Sequence, residues 1–159
     1  MVFEMDLFPE HMDVVFLFYG LAFLVLGVTI LAQPRRENDS KLVRCMWLLG
    51  GFGLLHGVAE WVDLIDTSKG PDWRYQLVGI TLSSFSFLFL FEFGRRVLIR
   101  AFEVRDDHRR LARWIEAPWI YAWPVAGLAG LLLTPGSTLT NIDVWVRYTI
   151  AFPGAVAAG

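Results

Sequence analysis

The chain has a single cysteine, Cys45, in 159 residues, so no disulfide can close within it and the redox compartment stays open. Charge is also scarce: Asp, Glu, Lys and Arg make up 19% of the residues against 55% hydrophobic ones, and mean hydropathy is +0.48. A formal net charge of −2 offers no basic surface for nucleic acid. The sequence contains no nucleophile–base constellation, phosphate loop or dinucleotide fingerprint, so the segment is not expected to be an enzyme by itself. Lys and Arg are missing from Met1 to Asp13, which carries Glu4, Asp6, Glu10 and Asp13 instead. That start is unlike a secretory signal peptide, and the apolar run behind it should stay in the protein.

What the chain does have is long apolar blocks. A helix needs about 20 mostly apolar residues to cross about 30 Å of hydrocarbon. Val14 to Ala32 is free of charge and ends before Pro34 and the polar run from Arg35 to Ser40. A second block, 42–65, is interrupted by His56 and Glu60, and the breaker-rich DTSKGPD follows it. The third, 75–93, places phenylalanine at 85, 87, 89, 91 and 93, but it is too long and too evenly apolar for a barrel strand. The Arg-rich stretch 95–116 predicts a helix that extends into water and then turns back along the membrane surface. Further spans are expected at 117–133 and 144–159, with Trp119, Trp123 and Trp145 as interfacial anchors and a kink at Pro153-Gly154. The expected fold is therefore an all-α integral membrane protein of about five transmembrane helices.

The fifth block, roughly 24 Å at 1.5 Å per residue, looks short for a bilayer. It leads to the expectation of a fragment, with a short tilted terminal helix as the alternative. Orientation follows from the basic residues. Arg35, Arg36, Lys41, Arg44, Arg95, Arg96, Arg100, Arg105, Arg109, Arg110 and Arg113 fall on one side, and only Lys69, Arg74 and Arg147 on the other. That bias puts the N-terminus outside and the C-terminus in the cytoplasm.

Ionisable groups inside a span cost roughly 2.5–3.5 kcal/mol each on insertion scales, so they are the first functional candidates. His56 and Glu60, at i and i+4, share one helix face, and Asp63 lies a turn further on. Gly50, Gly53 and Gly57 let a neighbouring helix come close. His11 begins the first span on the same outer side. Three readings stay open for this group. It is a buried hydrogen-bonded pair that fixes packing, a ligand- or proton-sensing site, or a site for a divalent metal held by His11, His56 and Glu60, with haem a poorer fit. Met5 and Met12 add a weak hint of copper. Glu92 precedes Arg95 and Arg96 by one turn and reads as an interfacial ion pair, with a proton relay as the alternative. His108 reads as a solvated loop residue. Ser83, Ser84 and Ser86, with the phenylalanines, either line a pocket for a quinone or fatty acid or simply meet lipid and neighbouring helices.

The stretch LLGGFGLLHGVAEWVD, Leu48 to Asp63, resembles the N-terminal multi-helix membrane sensor regions of bacterial histidine kinases and diguanylate cyclases. Their Gly-rich second helix carries a pattern like FGLLHGxxEW, and RYTIAFPGA, Arg147 to Ala155, is similar to their last membrane helix. The resemblance implies a sensory input domain in the bacterial inner membrane, with His56, Gly57, Glu60 and Trp61 as its signature. It also implies a homodimer and a cytoplasmic output domain beyond Gly159. A small membrane redox protein binding metal, haem or quinone is the rival reading. A transporter, with Glu60 and Glu92 as proton sites, lacks the inverted repeats and paired broken helices of that class.

Overall fold

A computed structural model describes residues 12–34, 41–104, 109–122, 125–127, 129, 133 and 139–158. The described elements are all helical. Helix α1 spans Met12–Leu31, α2 Lys41–Lys69 and α3 Trp73–Val104. These three are long and apolar enough to cross a membrane, which fits a multi-pass membrane protein. A short α4, Arg109–Glu116, leads into a 3-10 turn, Pro118–Tyr121. Helix α5, Leu139–Val146, runs through a π turn, Arg147–Ala151, into α6, Phe152–Ala158.

Helix α1 is apolar on every face, and only 17% of its span is buried, against 44% in α2 and in α3. Phe18 and Val28 lie 63% and 57% exposed. Such a helix in water would leave a large uncompensated apolar surface, whereas lipid satisfies it. Its inner face is set by glycine. A Cβ on Gly53 of α2 would sit 2.8 Å from the Phe23 carbonyl oxygen, and one on Gly57 would sit 2.7 Å from that of Gly20. The two backbones therefore touch along this seam, the close approach that small residues permit in membranes.

The α2–α3 turn is built by its polar residues. Gly70 takes φ +94°, a conformation that ends α2 cheaply only for glycine. The Asp72 amide donates to Asp66 Oδ1 at 2.8 Å, and Asp72 Oδ1 accepts the Arg74 amide at 2.9 Å, capping α3. Phe52, Phe87, Leu90, Phe91, Val146 and Ile150 form the core between α2, α3 and the last helix. Gly154 lies against Phe91, where a Cβ would come within 2.8 Å of its Cα, so α6 packs directly on the α3 backbone.

Helix α3 continues past its apolar block to Val104, the extension expected from the Arg-rich stretch, since Arg95, Arg96 and Arg100 are good helix formers. One boundary differs from the sequence expectation. The last helix starts at Leu139 and not at 144, since LTNID satisfies its backbone as a first turn despite its polarity. The irregularity of the last helix is a π turn just before Pro153, in which the Phe152 amide reaches back five residues to the Arg147 carbonyl, and Pro153 itself has no amide to give. The described part of the expected span 117–133 opens with the 3-10 turn, and most of its centre lies outside the described residues.

Candidate functional site

The α2 sequence places Phe52, His56 and Glu60 on one helix face, and that face turns into the bundle. His56 is 5% exposed and Glu60 6%. The imidazole is surrounded by rings. Phe52 stacks on it at 5.1 Å, Phe87 of α3 lies 5.1 Å away, and Phe23 of α1 presents its edge at 4.6 Å. Its nitrogens are both engaged. Nδ1 lies 3.2 Å from the Ser86 hydroxyl on α3, and Nε2 lies 3.4 Å from Glu60 Oε1.

Hydrogen-bond direction now assigns the protons. Ser86 has one hydroxyl hydrogen and gives it to the Ser83 carbonyl at 2.7 Å. Its oxygen therefore accepts from His56, which fixes a hydrogen on Nδ1. The nitrogen facing Glu60 stands 3.4 Å from the carboxyl oxygen, within ion-pair range, and a proton on either group would draw the two together.

Glu60 also forms part of an open cleft of about 540 Å³, with Tyr19, Asp63, Asp66 and Arg147 among its walls. A smaller one of about 150 Å³ lies between α2, α3 and the last helix and includes Asp63, Gln76, Ser83, Asp143 and Arg147. Asp63 and Arg147 face both. Gly79 makes room for the Asp63 carboxylate, whose Oδ1 lies 2.6 Å from where a Cβ would be. The Arg147 Nε donates to Asp143 Oδ2 at 2.9 Å. Arg147 is the first residue of the π turn, so the polar site abuts the irregular point of the last helix.

Trp61 points away from the imidazole. Its ring covers Gly20, and its Nε1 donates to the Leu17 carbonyl at 3.4 Å, tying α1 to α2. His11 lies outside the described residues. Among the described residues no three His, Cys, Asp or Glu side chains are grouped to hold a metal ion. Metal or haem ligation through His56 would first have to break its contact with Ser86 or Glu60.

Glu92 belongs to a second cluster at the other end of α3. Arg95 donates to it twice, Nε at 2.7 Å and Nη2 at 2.9 Å, and Arg96 Nε donates at 2.7 Å. Tyr121, brought in by the 3-10 turn, donates its hydroxyl to the same carboxylate. Arg95 Nη1 reaches the carbonyls of Ile115 and Glu116 at 3.2 and 3.4 Å. The phenylalanines of α3 divide by helical phase. Phe87, Phe91 and Phe93 are buried, whereas Phe85 is 56% exposed.

Sequence reasoning missed Arg147, Asp143 and Tyr121 as site residues. For Arg147 a signal existed, since an arginine at the fourth position of the last apolar block, 144–159, needs a partner, and Asp143 at i−4 supplies one. Tyr121 had no such signal. No family model, no curated protein and no solved structure matches this chain.

Proposed function

We propose that this chain is a membrane-embedded sensory input domain of a bacterial signal-transduction protein, crossing the inner membrane about five times with its N-terminus outside. Its last helix runs to the cytoplasm and passes the signal to an output domain, and the domain works as a homodimer. The observation that carries the reading is the junction of a buried His56–Glu60 pair with the last helix. Arg147 lines the same cleft as Glu60 and begins the π turn. A change of charge or ligand in that cleft would alter the field on Arg147, and the π turn is where the helix can yield. The resemblance of Leu48 to Asp63 to kinase and cyclase sensor regions supports the same direction.

The reading frame beyond Gly159 should encode a histidine kinase or diguanylate cyclase, and a stop codon directly there would overturn the proposal. In the complete protein, Glu60→Gln should leave the bundle inserted and change output activity. Glu60→Leu should also weaken packing by about 1–3 kcal/mol, because it strips the imidazole of its partner. Wild-type output and stability in both variants would leave the pair without a role in signalling.

Topology gives a separate check. A cysteine at Ser68 should react with a membrane-impermeant maleimide added from outside, and reporters at Glu37 and Asp106 should lie in the cytoplasm. Labelling of Ser68→Cys from the cytoplasmic side alone reverses the orientation.

A further inference from the structure

At the end of the bundle opposite His56, the start of α2, the last turns of α3 and the end of α4 enclose a cleft of about 360 Å³. Its walls carry Arg44, Arg95, Arg96 and Arg100, with Glu116 on the same lining and buried Cys45 and Ile99 at the floor. Glu92, behind Arg95 and Arg96, is the other nearby acid among the described residues. Among those residues, four guanidinium groups against two carboxylates leave an excess of positive charge in a confined space.

The arginines differ in how they are held. Arg95 is locked, because Glu92 takes its Nε and Nη2 while the α4 carbonyls take Nη1. Arg96 gives only its Nε to Glu92, and no protein partner among the described residues takes its two Nη groups. Arg44, exposed in the first turn of α2, has no such partner either. Two forks thus face an open, positively charged cleft whose other wall is already fixed. Planar guanidinium forks match phosphate oxygens in pairs, and a preorganised wall lowers the ordering cost of binding.

We infer that this cleft binds a phosphate anion, the phosphate of an anionic lipid headgroup or its soluble equivalent. The apolar stretches of α2 and α3 run away from this end, which sets the arginines at the level where headgroup phosphates lie. Buried Ile99 and Cys45 make the floor apolar, as the first methylenes of a lipid acyl chain would require. The inference rests on membrane embedding and is independent of the sensory reading, which concerns the opposite end.

Native mass spectrometry of the full chain, released from detergent containing equal phosphatidylglycerol and phosphatidylcholine of matched acyl chains, tests it. Wild-type protein should retain phosphatidylglycerol over phosphatidylcholine by about tenfold, the worth of one good charge-assisted contact. Arg44→Gln should lower that preference several-fold, while Arg113→Gln, an equal loss of charge on exposed α4, should keep it. In lipid-stripped protein, inorganic phosphate should raise the melting temperature more than chloride at equal ionic strength. A phosphate effect without lipid preference supports the site and assigns it to soluble phosphate. Absence of both effects in wild-type protein, or equal losses in Arg44→Gln and Arg113→Gln, overturns the inference.

Discussion

Gly53→Ala is expected to destabilise the bundle by about 1–3 kcal/mol, and Gly53→Val by more, because overpacked groups here meet backbone. A Cβ at this position would lie 2.8 Å from the Phe23 carbonyl oxygen and 2.9 Å from the Gly27 amide nitrogen. Neither atom can rotate aside as a side chain can, so α1 would have to move off α2. Lipid tails are as apolar as the helix surfaces, and the pair is held largely by close packing. A gap opened along the seam would therefore loosen it over several turns. Gly51 supplies the contrast. Its added methyl would meet the Phe89 ring at 2.9 Å, a side chain that can turn where a backbone cannot, and Gly51→Ala should cost less than Gly53→Ala. Unfolding in a graded mixture of mild and denaturing detergent reads both variants. Equal stability of Gly51→Ala and Gly53→Ala would mean that the α1–α2 seam does not depend on backbone contact.

The second large effect should come from Glu92→Leu. One carboxylate there accepts from Arg95, Arg96 and Tyr121, and the Arg95 side chain is only 15% exposed. Removing the acid leaves two adjacent guanidinium groups to repel each other and takes away the acceptor that holds the 3-10 turn against α3. Stripping one partner from a partly buried pair costs on the order of 3 kcal/mol. An exposed pair would cost about 0–1 kcal/mol. Tyr121→Phe alone, losing one hydrogen bond, should cost about 1 kcal/mol. In the double variant the two costs should fall short of adding, because the tyrosine hydroxyl has no further acceptor to lose once Glu92 is gone. Strict additivity, or a Glu92→Leu cost within about 0.5 kcal/mol of zero, would reduce the cluster to surface charge.

Local features of this protein were legible in its sequence. The three long helices follow from uncharged or sparsely charged runs that exceed a bilayer's thickness, and their ends follow from Pro34 and from Gly70 with Pro71. The pairing of His56 with Glu60, and of Glu92 with Arg95 and Arg96, follows from spacing within one helix, where rise and turn are fixed. The tertiary structure decided everything that joins one helix to another. Ser86, which orients the imidazole, stands 30 residues from His56, and Tyr121 stands 29 from Glu92. Those contacts depend on how each helix is rotated about its axis. For α1 the sequence holds almost no rotational signal, since apolar residues cover all its faces and only Gly20 and Gly27 mark the side that meets α2. For the last helix the π turn from Arg147 to Ala151 shifts the phase of the residues that follow it, which a simple 3.6-residue reading does not anticipate. Backbone hydrogen bonding dictates structure along a helix, but contact between helices is settled by steric fit and polar pairing between residues far apart in the chain.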